Sequence, residues 1–160
     1  MKTITFVTGN DRKLKEAIAG CTPFGIMVEQ MKLNLDEIQS ADPIKISTAK
    51  VMAAFEKVKK PVVVTDTFWD IPALNGFPGG YMKEVAQWLS PVDFLDLMKN
   101  KTDRRIAFTE SITFTDGHET KIFSKSFWGT TTDQPRGTGN SIEKVAQFDE
   151  FTLGERREQG

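Results

Sequence analysis

A hydroxyl, a bare glycine and a side-chain amide stand in a row at Thr8-Gly9-Asn10, and a lysine, Lys13, follows one turn later. The residues before them, Thr3 to Val7, are β-branched and aromatic and predict a strand. Those after them, Asn10 to Ala19, carry apolar Leu14, Ala17 and Ile18 and predict a helix. A strand-to-helix junction of this kind gathers unpaired N–H groups and the positive end of the helix dipole, so it favours an anion, and phosphate is the obvious candidate. Two acidic positions could complete such chemistry. Glu37 lies in "LDEIQ" just ahead of a helix, and Asp66 closes the apolar run "PVVVTD", which predicts a buried strand. In open α/β sheets ligands bind outside the carboxyl ends of strands. Asp66 and the Thr8-Gly9-Asn10 loop are both expected there, and Lys50 faces the same region from the intervening helix. A phosphate-type loop with carboxylates suggests a magnesium–phosphate site, because Mg²⁺ takes few protein carboxylates and completes its shell with water and substrate phosphate.

The elements that must position these residues follow from the rest of the chain. Asp42-Pro43 starts a helix whose inward face is expected at Ile44, Ala49, Met52, Ala53 and Phe55. A loop with Asn75-Gly76 and Pro78-Gly79-Gly80 follows the Asp66 strand, with Asp70 expected in a turn. Two short helices are expected, at Tyr81 to Leu89 and at Pro91 to Lys99. Two long strands, Arg104 to Thr115 and Glu119 to Thr130, flank the hairpin signal Asp116-Gly117. Ser141 to Phe148 is expected as a short helix, and "DEFTLGERREQG" as a loosely held tail. The order β, α, β, α, β, then helices and a hairpin, gives an α/β fold with a mixed sheet.

Composition narrows the chemistry. The 160 residues suit one domain spanning 1–160, with or without a cleft between two lobes. Lys plus Arg number 21 against 22 Asp plus Glu, so nothing in the overall charge points to nucleic acid or a membrane surface. No stretch approaches the roughly 18 apolar residues of a membrane span. Cys21 is the one cysteine, which rules out an internal disulfide framework and fits a reducing compartment. The one histidine, His118, sits in the hairpin turn, so a histidine zinc site or a Ser–His triad is hard to build. A soluble cytoplasmic protein working with carboxylates, lysines and a hard metal is the expectation.

Taken together, "TGNDRKLKE", "LDEIQ", "ISTAK", "VVVTDTFWDIPALNGFPGGY", "FWGTT" and "PRG" resemble the inosine triphosphate pyrophosphatase family, in the family's order, from Thr3 to about Gly137. The resemblance implies a two-lobed α/β fold with a mixed central β-sheet flanked by helices. It also implies a homodimer, and Mg²⁺-dependent hydrolysis of nonstandard purine triphosphates (ITP, dITP, XTP) to the monophosphate and pyrophosphate. Carried over by motif, Thr8, Gly9, Asn10 and Lys13 would hold the triphosphate and Lys50 would neutralise phosphate charge. Glu37 and Asp66 would hold magnesium, and Asp66 with Lys13 would serve the chemistry. The chain departs from the family in two places. The family commonly has two adjacent acids where this chain has Thr65 and Asp66. After Gly137 the chain reads "TGNSIEKVAQFDEF", without the family's aromatic-Gly-aromatic-Asp-Pro segment, later lysine or Ser-His-Arg element. The phosphate and metal half of the site is thus expected intact and the base-reading half missing or rebuilt. A second reading is a nucleotide-binding protein on the same scaffold with weak or lost catalysis.

Overall fold

The first strand, β1 (Lys2–Val7), turns from exposed to buried along its length, so that Thr5, Phe6 and Val7 lie in the interior just before the Thr8-Gly9-Asn10 loop. The computed structural model describes residues 2–159 and divides into two compact units. One unit holds the residues up to Asp66 together with Glu110–Ser124; the other holds Thr67–Thr109 and the residues from Lys125.

In the first unit β1 is followed by α1 (Asp11–Cys21), β2 (Ile26–Met31) and α2 (Pro43–Val58). The opening half of β3 (Val62–Ile71) completes that run. β1 pairs in parallel with β2, from Lys2↔Ile26 to Val7↔Met31, and with β3 at Thr5↔Val62 and Phe6↔Val63. The far half of β5 (Arg105–Thr115) and the near half of β6 (Thr120–Thr131) extend the order to β2-β1-β3-β5-β6. The core forms where Val7, Val62 and Val64 of the sheet meet Val51 and Ala54 of α2, with Leu33 and Leu35 packed against them. These two leucines anchor the segment between β2 and α2, which carries Glu37.

The expected inward face of α2 holds in part: Phe55 packs against the core and Ala49 and Ala53 are half-buried, but two of its residues face outward. Ile44 is 63% exposed and Met52 39%, whereas Ile46, Ser47, Val51 and Ala54 are buried. Hydrophobic periodicity misreads this helix because a serine, Ser47, belongs to its buried face. In α1 Leu14 and Ala17 are half-buried while Ile18 stays exposed.

In the second unit the order is β3-β5-β6, then β7 (Ala146–Phe148) and β8 (Phe151–Thr152), with β4 (Phe77–Gly79) antiparallel to the end of β3. α3 (Met82–Trp88) and α4 (Pro91–Met98) match the two expected helices, and α4 starts on a Ser90–Asp93 capping box. Trp69, Ile71, Phe94, Met98, Ile106 and Ile142 form the centre of this core. Phe68 and Trp69 are therefore core residues, while Trp88 is 75% exposed.

Two expectations fail near the C-terminal end. Ser141 to Phe148 is a turn followed by β7, not a helix. The last stretch is tied down: β8 pairs with β7, and α5 (Leu153–Glu158) begins on a Thr152–Glu155 capping box. Gly154 lies against the carbonyls of Thr138 and Arg136, where a Cβ would come within 2.6 and 2.7 Å of oxygen. Composition alone reads this segment as polar and loose because its anchors are few and dispersed: Leu153 packs against the core, Arg156 and Arg157 pair with Asp149 and Glu143, and close backbone contacts do the rest. Among the described residues no helix is long and apolar enough to cross a membrane.

Candidate active site

All the residues singled out for chemistry fall in the first unit. Asn10 is the N-cap of α1: its Oδ1 accepts from the backbone N–H groups of Arg12 (3.0 Å) and Lys13 (3.3 Å). The Asn10 N–H in turn donates to Thr8 Oγ1 at 3.1 Å. Several of the donors that make a helix start attractive to anions are thus already engaged, which leaves the Asn10 amide nitrogen and the Lys13 ammonium as the loop's distinctive donors. The loop is fixed from the sheet side by Thr8 N–H to Met31 O (3.1 Å) and Gln30 Nε2 to Thr8 O (3.1 Å). Lys13 is 19% exposed, and its Nζ lies 3.9 Å from Glu110 Oε2.

Asp66 lies in the middle of the ten-residue β3, not at the strand's carboxyl end. The strand continues because Phe68, Trp69 and Ile71 are buried and prolong it; the chain turns only at Pro72–Leu74. Asp70 is likewise in the strand, opposite Pro78. Carrying the β1–β3 register forward two residues from Phe6↔Val63 puts Thr8 level with Thr65 and next to Asp66 in the count. The loop at the carboxyl end of β1 therefore lies beside the middle of β3, where the carboxylate is.

The helix α2 aims two side chains of one face at Asp66. Lys50 Nζ donates to Asp66 Oδ1 at 2.5 Å and to Thr65 O at 3.2 Å, and Ser47 Oγ donates to Asp66 Oδ2 at 3.4 Å. Ser47 and Lys50 are three residues apart, one turn along that face. Glu37 reaches the same ammonium, Oε1 to Nζ 3.2 Å. The side chains of Asp66 and Lys50 are only 12% and 17% exposed, that of Glu37 41%. Burial by itself would lower the Lys50 pKa; the charges and hydrogen bonds of Asp66, then of Glu37, outweigh it and hold the ammonium above its ordinary value of 10.5.

Glu37, Lys50 and Asp66 are thus brought together, and the Thr8–Lys13 segment stands at the adjoining strand end. Sequence reasoning missed Ser47 and Glu110. Ser47 carried a usable signal, its one-turn spacing from Lys50, whereas Glu110 becomes relevant only through the placement of β5. The donor set suits a hard divalent cation: two carboxylates converge on one point, without sulfur or imidazole. Among the described residues no group of three or more His, Cys, Asp or Glu gathers into an all-protein metal cage.

The model of the Ham1 family matches residues 4–145. Inosine triphosphate pyrophosphatase 2 of Trypanosoma cruzi is 34% identical over 137 residues, 85% of this chain and 69% of that protein. The dITP/XTP pyrophosphatase of Methanosarcina acetivorans is 34% identical over 159 residues, 97% of this chain and 85% of that one. Among solved structures, the Staphylococcus aureus Ham1 protein superposes with a TM-score of 0.80 at 24% identity, over 96% of this chain and 86% of its own. The Coxiella burnetii HAM1 protein gives 0.83 at 19% identity, over 97% and 87%. At those identities the structural likeness establishes the fold: a mixed α/β architecture with a central sheet flanked by helices.

Proposed function

This chain belongs to the Ham1 family, and from that premise we propose that it hydrolyses nonstandard purine nucleoside triphosphates to the monophosphate and pyrophosphate. ITP, dITP and XTP are the substrates, and clearing them from the nucleotide pool is the role. The reading treats residues 1–160 as one pyrophosphatase domain, working in the cytoplasm as a homodimer, which light scattering would check. The observation that carries it is the convergence of Glu37, Lys50 and Asp66 beside the strand end that bears Thr8, Gly9, Asn10 and Lys13.

Phosphoryl chemistry on a triphosphate is mostly positioning and stabilisation of charge. Lys13 and the Asn10 amide nitrogen grip the triphosphate, with Gly9 letting the backbone approach and Thr8 bracing the loop through its hydroxyl. Glu37 and Asp66 are the oxygen donors that would hold magnesium, which when bound supplies charge neutralisation and polarises a phosphoryl oxygen. Asp66 is the proton acceptor for the attacking water. Without ligand its Oδ1 is engaged by Lys50, while Oδ2, touched by Ser47 at 3.4 Å, keeps lone-pair capacity for a proton. Lys50 balances the carboxylates and adds positive charge near the phosphates.

The test is a product analysis. ITP incubated with the protein and Mg²⁺ should yield IMP and pyrophosphate in equal amounts by ion-exchange chromatography. IDP and inorganic phosphate as the products would overturn the assignment.

A further inference from the structure

Lys50 Nζ stands at the very point on which the two carboxylates converge, 2.5 Å from Asp66 Oδ1 and 3.2 Å from Glu37 Oε1. We propose that Lys50 and the divalent metal are exchangeable cations for these carboxylates. The lysine guards the site against bare metal and yields it to metal that arrives with a triphosphate. The inference rests on the reading of Glu37 and Asp66 as the metal's donors.

Three features support the exchange. The first is electrostatic: an ammonium and a divalent ion sharing the same two oxygens would repel one another across a few ångströms in a largely buried setting. The second is the cost of displacing the lysine. Lys50 is 17% exposed and has Asp66, Glu37 and the Thr65 carbonyl as partners, so a bare metal ion would leave a mostly buried ammonium short of anionic partners. A metal bound to a triphosphate brings phosphate oxygens that can receive the ammonium. The third is reach: lysine carries its compact charge on a flexible four-carbon stem with rotatable donors, so Nζ can swing while α2 stays in place. Ser47, on the same helix face, remains a neutral partner for Asp66 throughout. The consequence is thermodynamic coupling, with metal and triphosphate each strengthening the other's binding, and Lys50 as the source of that coupling.

The experiment measures binding of Mn²⁺ alone, without nucleotide, from the electron paramagnetic resonance signal of the free ion. Wild type, Lys50→Met, Lys50→Arg and Asp66→Asn are compared, with Asp66→Asn also placed in the Lys50→Met background. Lys50→Met should bind Mn²⁺ at least about tenfold more tightly than wild type, because a competing positive charge is gone. Lys50→Arg, which keeps the charge, should stay near wild type. If Lys50→Met binds no more tightly while Asp66→Asn weakens binding, the exchange is overturned and the metal assignment stands. If Asp66→Asn leaves Mn²⁺ binding intact in the Lys50→Met background, the metal assignment itself falls and takes the exchange with it. Should Lys50→Met prove unfolded by circular dichroism, recovery of a cooperative thermal transition on adding Mn²⁺ supports the exchange. A chain that stays unfolded in millimolar Mn²⁺ overturns it.

Discussion

Replacing Asp66 by asparagine separates the chemical role of this carboxylate from its structural one. The substitution keeps shape and an acceptor oxygen but removes the charge, the proton acceptor and one proposed metal donor. General-base catalysis is commonly worth 10²–10⁴-fold, so turnover of ITP should fall by about 10³-fold or more once the metal donor is lost as well. Stability should fall too. Asp66 and Lys50 are 12% and 17% exposed and 2.5 Å apart, and leaving one partner of a buried pair uncompensated costs about 3–5 kcal/mol. Here Lys50 keeps Glu37 at 3.2 Å and Thr65 O at 3.2 Å, and the new amide oxygen can still accept from it, so the loss should fall at or just below the foot of that scale: about 2–3 kcal/mol. In a chain of this size that corresponds to a loss of roughly 5–10 °C in Tm. Pyrophosphate release and a thermal denaturation scan measure the two effects on one preparation. Turnover within tenfold of wild type would remove Asp66 from the chemistry. An unchanged Tm would refute the view that the Lys50–Asp66 pair is energetically coupled to the fold.

Glu37→Gln should behave differently. Its side chain is 41% exposed, so stability should fall by no more than about 0.5 kcal/mol, while the Mg²⁺ concentration for half-maximal activity rises at least about tenfold, as a magnesium titration would show. Gly154→Ala should destabilise by about 1–3 kcal/mol in urea unfolding, because the added methyl meets the Thr138 and Arg136 carbonyls; faster amide exchange should concentrate in α5 and the 136–145 loop. Asp103, held by the Arg105 guanidinium with a pKa of about 2, should titrate there by carboxyl NMR and return towards 3.8 in Arg105→Ala. Because that pKa is depressed, the pair favours the folded state above pH 3.8, and the contribution is lost as pH falls towards 2.

Much of the first unit was legible in the sequence because its signals are local. Thr8-Gly9-Asn10 is a loop that ends in a helix cap, Asp42-Pro43 caps the next helix, and Asp116-Gly117 turns the hairpin. What escaped depended on distant partners. The apolar run before Asp66 predicts a strand that ends at the charged residue, yet the strand runs on, since a carboxylate matched by Lys50 and Ser47 can lie within a sheet. The same pairing places Ser47 on the buried face of α2, beside Ile46, Val51 and Ala54, where apolar residues alone do not point. The C-terminal stretch reads as loose because it is short of apolar residues. Its order comes from one apolar anchor, Leu153, from the Thr152–Glu155 capping box, from the ion pairs of Arg156 and Arg157, and from Gly154, which admits the backbone of residues 136–138. The base-reading half remains the least legible part: the sequence after Gly137 folds into turns, β7, β8 and α5 without a motif that names a purine contact.

The decisive measurement is pyrophosphate release with Mg²⁺ from ITP, dITP and XTP, set beside ATP, GTP, CTP and UTP under the same conditions. Turnover of the nonstandard purine triphosphates should run well above that of the four standard ones and be abolished by Asp66→Asn. No pyrophosphate from any triphosphate, at enzyme concentrations where the protein is folded and Mg²⁺ is in excess, would contradict the assignment.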